Sequence, residues 1–183
     1  TLANLRVLIA IDPPRAQAML DRLISFLRST LNASRVGTHA LSAEFDRLAD
    51  YLALMQIRMG PRLQFAFDLP DDLREAPLPP LLLQPLVENS ITHGLEPKVE
   101  GGRIDVRAAR EGTTLVLSVR DSGVGLSSSV ATQGTRFGMQ QVRDRLAALY
   151  GARATLCLEA AADGGHDVAL EEDLLSDDKE IAE

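Results

Sequence analysis

At Leu63 the spacing of apolar residues switches from helical to alternating, and that switch limits the chain to folds that set helices against a sheet. Upstream, Leu41, Phe45, Leu48, Leu52, Met55 and Met59 step by four and three in turn, the spacing of a helical seam. The seam packs either on the domain core or on another helix as a short coiled coil. Ser42 is its expected N-cap, with Glu44 in the first turn, and Gly60-Pro61 ends it. Downstream, Leu63, Phe65, Phe67 and Leu69 alternate with Gln64, Ala66 and Asp68, as in a half-buried strand. Pro77 to Pro80 breaks the chain before a helix carrying Leu83, Leu86, Val87, Ser90 and Ile91. Ile104, Val106 and Ala108 alternate next, then Leu115, Leu117 and Val119, joined by a turn at Glu111-Gly112. A helix from around Arg136 to Tyr150 should bury Met139, Val142, Leu146 and Leu149. Leu156 and Leu158, then Val168 and Leu170, form a last hairpin across Ala162-Asp-Gly-Gly165. Hairpin-paired strands with helices between them predict a two-layer α/β sandwich, its helices on one sheet face.

The chain opens differently. Leu2, Leu5, Leu8 and Ile9 sit at helical spacing, and Asp12-Pro13-Pro14 stops that helix and caps the next. The second helix carries Met19, Leu20, Leu23, Phe26, Leu27 and Leu31 as one stripe. Its arm is the longer, so half of the stripe lacks a partner in this chain: either a neighbouring subunit covers it or the first helix is truncated. The division expected is a helical hairpin over 1–34, a linker helix over 35–62, a sandwich domain over 63–172 and an acidic tail over 173–183.

Composition excludes several classes. From Glu171 onward seven acids face one lysine, so −6 of the net −7 lies in the tail and nothing is basic enough for a nucleic-acid groove. The one cysteine, Cys157, allows no internal disulfide and reads as a packed small residue in a strand. No apolar run approaches the length of a membrane span, and the start at Thr1 reads as a cut from a longer protein.

Three segments carry the chemistry: Leu83-Leu-Gln-Pro-Leu-Val-Glu-Asn-Ser-Ile-Thr-His-Gly94, Asp121-Ser-Gly-Val-Gly125 and Gly134-Thr-Arg-Phe-Gly138. Alone, an Asp-Ser-Gly is a turn and a helical Asn a surface residue. In this order they resemble the N, G1 and G2 boxes of the histidine-kinase ATP-binding domain, the Bergerat fold shared with gyrase, Hsp90 and MutL. The run Gly138-Met-Gln-Gln-Val-Arg-Asp-Arg-Leu-Ala-Ala-Leu-Tyr-Gly151 resembles the LytS-like branch of sensor histidine kinases.

The resemblance implies an ATP site with Mg²⁺. Asn89 and His93, four apart on a helix, point the same way. Asn89 would be the Mg²⁺ ligand, a hard neutral amide oxygen beside waters and phosphate oxygens. Glu88 either holds a metal-bound water or is a solvated helix residue; His93 either bonds a phosphate or packs beside Gly94. Asp121, in a turn tightened by Gly123 and Gly125, would accept from the adenine amine, where guanine carries a carbonyl. Leu126 to Gly134 takes the place of an ATP lid. Gly134, Thr135, Arg136, Phe137 and Gly138 would bring backbone N–H groups and a helix N-terminus to the phosphates.

Departures from the pattern matter as much. Thr92 stands where the N box usually has a lysine or arginine, and Arg136 replaces the middle glycine of the G2 box. Arg136 either restores the missing charge or is a surface arginine at the lid hinge. Pro85 occupies the place of the glutamate that activates water in hydrolytic relatives, which suits phosphate delivery to a side chain. Thr1-Leu-Ala-Asn-Leu5 resembles the stretch directly after the family's acceptor motif, so the acceptor histidine is expected a few residues before Thr1, outside this chain. His39, His93 and His166 are none of them placed to accept phosphate. The expected whole is a cytoplasmic kinase domain of a membrane-anchored sensor, its membrane segments outside this chain. It would dimerise through the hairpin and pass phosphate to a response-regulator receiver domain. The alternative is a degenerate kinase, an ATP-binding, nucleotide-sensing interaction module.

Overall fold

The computed structural model describes residues 2–33, 37–124, 134–160 and 166–173. Helices α1 (Leu2–Ile11) and α2 (Pro13–Ala33) form the unequal hairpin. Asp12 caps α2 as expected: its carboxylate accepts the Arg15 N–H at 3.1 Å, and its carbonyl accepts Ala16 N–H at 3.0 Å. One flank of α2 is covered, with Ala16 and Met19 buried, while Leu20, Leu27 and Leu31 stay exposed.

Helix α3 (Leu41–Met59) covers that flank. Its seam belongs to the core: Leu41, Phe45, Leu48, Leu52 and Met55 are all buried. Phe26 of α2 meets Tyr51 with ring centroids 5.5 Å apart, and Phe45 meets Phe67 of the sheet at 5.8 Å. So α3 carries the hairpin on one side and the sheet on the other. Ser42 is not its N-cap; Ala40 is, without a side-chain bond. The start of the helix is satisfied by backbone instead. Strand β1 (His39–Ala40) pairs antiparallel with a later strand (Pro77–Leu78), and the N–H groups of Leu41 and Ser42 donate to the carbonyls of Ala76 and Arg74 at 2.9 Å each. With those donors taken, no hydroxyl cap is required. Gly60, at φ +64°, ends the helix as expected.

The main sheet follows, with β2 (Leu63–Asp68), β3 as the short partner of β1 (Pro77–Leu78), β4 (Gly102–Glu111), β5 (Thr114–Asp121), β6 (Ala154–Ala160) and β7 (His166–Asp173). The five long strands run in the order β2-β4-β5-β7-β6. Only β2 and β4 are parallel, Leu63 facing Gly102, so residues 69–101 form one long crossover; the other pairs are antiparallel. The first three acids of the C-terminal run, Glu171 to Asp173, lie in β7 rather than in a tail.

Alternation sets the two faces. Ile104, Val106, Ala108, Leu115, Leu117, Val119 and Leu170 point inward and are buried under the helices. The outer face is polar, and there half-buried Cys157, with Arg107, Ser118 and Glu171, lines a cavity of about 300 Å³. Helices α4 (Gln84–Asn89) and α5 (Gly134–Tyr150) complete the helical layer. Helix α5 begins two residues earlier than the pattern suggests and buries Met139, Val142 and Leu146. Leu149 is 48% exposed, against expectation; Tyr150, one step further round the last turn, packs on the core in its place. Among the described residues, no helix is long and apolar enough to cross a membrane.

Candidate nucleotide site

The segment holding Asn89 and His93 is not one regular helix. Pro85 sits in the first turn of α4, where its missing N–H is no loss, and α4 stops at Asn89. Ser90–Leu95 then widens into π-helix, with the Glu96 N–H donating to the Ile91 carbonyl at 2.9 Å. Such single-turn π segments recur at functional sites. Here the wide turn ends where Gly94 and Leu95, both buried, meet the end of β5.

Asp121 is the next inward step after Leu115, Leu117 and Val119, so strand alternation itself drives its carboxylate into the interior, where it is 1% exposed. One oxygen accepts the Gly123 N–H at 2.8 Å, the bond of an aspartate capping its own turn. This carboxylate lies against a glycine. A Cβ on Gly94 would lie 2.9 Å from Asp121 Oδ1 and 3.2 Å from Cγ, and a Cβ on Gly123 would lie 2.5 Å from the Gly94 backbone. The Val124 N–H donates to the Gly94 carbonyl at 3.1 Å. The first and second motifs are therefore joined backbone to backbone through two glycines. Of these, sequence reasoning singled out Gly123 but not Gly94.

Asn89 is half-buried, and its Nδ2 is buried without a hydrogen-bond partner among the described residues. Glu88 is half-buried and accepts from Gln84 Nε2 at 2.7 Å. Its charge also reaches α3: burial, then Glu88, pushes the Tyr51 hydroxyl up to about 12. His93 is half-buried in the π turn beside Gly94, and Thr92 is exposed. Lys98, which no sequence motif marks, donates its ammonium to the Ser122 carbonyl and ties the loop after the π turn to the Asp-Ser-Gly turn. Ser122 in turn locks onto β4, accepting the Arg103 N–H at 2.9 Å and donating its own N–H to the Arg103 carbonyl at 3.0 Å.

Gly125 and the lid stretch through residue 133 lie outside the described residues. Gly134 and Gly138 fall in the opening turns of α5, which packs against α4; the side chains of Thr135, Arg136 and Phe137 lie outside the described residues. Helix α4 thus packs on α5, and the π turn that follows it packs on the end of β5. His39 is held elsewhere, its Nε2 3.2 Å from the buried Glu44 carboxylate.

Residues 78–174 match the family described as histidine kinase-, DNA gyrase B-, and HSP90-like ATPase. The chain belongs to this family. Residues 1–63 match a second family, described as histidine kinase. The chain is 31% identical over 171 residues to the sensor protein LytS of Staphylococcus epidermidis, covering 88% of this chain and 29% of that protein. It is likewise 31% identical over 175 residues to the sensor histidine kinase/phosphatase LytS of Staphylococcus aureus, covering 90% and 30%. The chain therefore spans less than a third of these relatives. In structure it resembles the histidine kinase domain of a blue-light activated histidine kinase from Erythrobacter litoralis, with TM-score 0.56 and 16% identity, covering 94% of this chain and 85% of that one. The catalytic domain of histidine kinase ThkA gives TM-score 0.57 at 16% identity, covering 74% and 94%. At such identities the structures establish the fold, a histidine-kinase catalytic sandwich behind a helical part. Membership of the ATPase family makes residues 78–174 an ATP-binding domain of that family.

Proposed function

We propose that this chain is the Mg-ATP-binding part of a sensor histidine kinase that passes the γ-phosphoryl group to a histidine and thence to a response-regulator receiver domain. One observation carries the reading. The inward carboxylate of Asp121 sits against the Gly94–Gly123 backbone contact, beside the α4 segment that bears Asn89. A purine ring meeting that turn finds glycine backbone along its face and a buried acceptor for the amine that adenine has and guanine lacks. ShkA, a structural relative at TM-score 0.53 and 18% identity, covering 83% of this chain and 36% of that one, was solved with AMPPNP.

Asn89 suits Mg²⁺ through its amide oxygen, a hard neutral ligand; its buried Nδ2, without a partner among the described residues, is a donor suited to a phosphate or water oxygen. Bound Mg²⁺ would neutralise phosphate charge. Glu88 and His93 would line the phosphate side, and Gly134 and Gly138 would turn N–H groups at the start of α5 toward the phosphates. Catalysis by such a site is positioning and charge stabilisation. We further propose the boundaries 1–34, 35–62, 63–172 and 173–183, and dimerisation through the hairpin. Exposed Val7, Ile9, Ile11 and Leu31, between 59% and 72% accessible, form the apolar surface that a second copy would cover. Membrane attachment would come from segments other than these.

Calorimetry tests the site. Mg-ATP and Mg-ADP should bind in preference to Mg-GTP, and Asp121→Ala should lose about 1–3 kcal/mol of adenine-nucleotide binding. Equal affinity for ATP and GTP, or an unchanged Asp121→Ala, sinks the placement of the base. The nucleotide-sensing reading rests on exposed Thr92 in place of a basic residue. It wins if the whole protein binds ATP and never labels a histidine.

A further inference from the structure

The nucleotide-site segment is gripped at both ends by one helix. At the first turn of α3, fully buried Glu44 accepts the N–H groups of Leu81 and Leu83 at 3.1 Å each, just ahead of α4. Leu81 has φ +62°, a left-handed conformation that strains a residue with a side chain and persists only where surroundings enforce it. The Glu44 carboxylate holds the N–H of this residue. The carboxylate is itself held by His39 Nε2 at 3.2 Å and by the guanidinium of buried Arg47 at 3.6 Å. At the last turn of α3, Arg58 is paired with Glu96, the residue that closes the π turn. Between these ends lie Asn89 and Gly94.

We propose that α3 is a two-ended clamp on residues 81–96, with Glu44 and Arg58 as positioning residues that set Asn89 and Gly94 for nucleotide. The proposal rests on the nucleotide-site reading and deepens it by supplying a route of control. Helix α3 also bears the hairpin: the Phe26 ring meets Tyr51 at a tilt, Ser25 Oγ donates to Asp50 at 3.1 Å, and Arg15 donates to the Ile57 carbonyl at 3.0 Å. A displacement of α2 is therefore delivered to both ends of the site through one rigid element, the kind of two-arrangement coupling by which packed helices transmit signals.

The test uses the full chain and Mg-ADP, at a temperature where circular dichroism shows every variant folded. Glu44→Gln keeps the shape and one accepting oxygen but turns an NH₂ toward the second amide. It should bind Mg-ADP about tenfold more weakly. Arg58→Glu sets two carboxylates together and should also weaken binding, while Arg58→Glu with Glu96→Arg restores it to within about twofold of the parent. Amide exchange should quicken at Leu81, Leu83 and Ser90–Leu95 in the single variants and stay unchanged in the β6–β7 hairpin. Folded single variants that bind like the parent overturn the proposal, and so does a charge reversal that recovers nothing. Should Glu44→Gln fail to fold, the Arg58 pair decides alone. A parent that binds no adenine nucleotide refutes the site reading instead, and local exchange in the variants then decides the clamp by itself.

Discussion

Gly94→Ala is the most direct probe of how the site is built. The new methyl carbon would stand 2.9 Å from Asp121 Oδ1 and 3.2 Å from Cγ, closer than an unstrained carbon contact by several tenths of an ångström. Relief by moving Asp121 stretches its 2.8 Å bond to the Gly123 N–H and shifts a side chain that is 1% exposed. Relief by moving Gly94 disturbs its bond from Val124 and its contact with Gly123. Overpacking of this order costs about 1–3 kcal/mol, and each kcal/mol lowers the melting temperature of a chain this size by about 2–4 °C. Adenine-nucleotide affinity should fall with it, since the displaced carboxylate is the proposed adenine acceptor. The decisive assay is a double-mutant cycle in urea. In an Asp121→Ala background the clashing oxygen and Cγ are gone, so most of the Gly94→Ala penalty should vanish. Additive penalties, with Gly94→Ala costing the same in both backgrounds, would refute the reasoning. Gly123→Ala meets backbone at 2.5 Å and should be worse than Gly94→Ala, whereas Gly37→Ala, with nothing within 4 Å, should be near neutral.

Asn89→Ala should abolish the Mg²⁺ dependence of nucleotide binding more than it weakens metal-free ADP; titrations with and without chelator check this, and an identical Mg²⁺ effect removes Asn89 as the ligand. Burial pushes the Glu44 carboxyl up, but the bond from His39, the charge of Arg47 and the amides of Leu81 and Leu83 outweigh it and hold it below its ordinary 4.5. Its contribution to stability is thus full above 4.5 and lost as pH falls through the lower folded value, so Glu44→Gln should flatten the acid limb of a urea-midpoint-versus-pH profile. Arg136→Gly should weaken ATP more than ADP, and Thr92→Lys should recover part of the loss, measured by calorimetry; ATP binding equal to the parent would leave Arg136 a surface residue.

Much of the fold was legible because burial repeats with the backbone. The alternation of Leu115, Leu117 and Val119 and the seam from Leu41 to Met55 need only local geometry to read. What escaped depended on distant partners. The π turn over Ser90–Leu95 has no local signature, since it forms where Gly94 lies against Asp121, a residue from another strand. Ser42 failed as a cap because the segment at Arg74 and Ala76, thirty-odd positions on, supplies the acceptors. Glu44 read only as an acid in the first turn of a helix, yet it is wholly buried, its charge matched by Arg47 with His39 Nε2 3.2 Å away. The parallel pairing of β2 with β4 is likewise silent in a pattern of alternation that looks the same in either direction.

That parallel pairing has a consequence for assembly. Because β2 and β4 are parallel neighbours, the excursion from residue 69 to 101 leaves the sheet at the end of β2 and returns at the opposite edge, beside where β2 began, and its glycine contact with the end of β5 forms only once three strands are in register. Contacts of such wide sequence separation are made late, after their loop-closure entropy is met. A nucleotide held there has no counterpart of its site in a half-folded chain. It should act as a ligand of the finished sheet alone, and at a hundredfold excess over its dissociation constant it would add about 2.7 kcal/mol to the cooperative unfolding of the whole domain rather than to one loop.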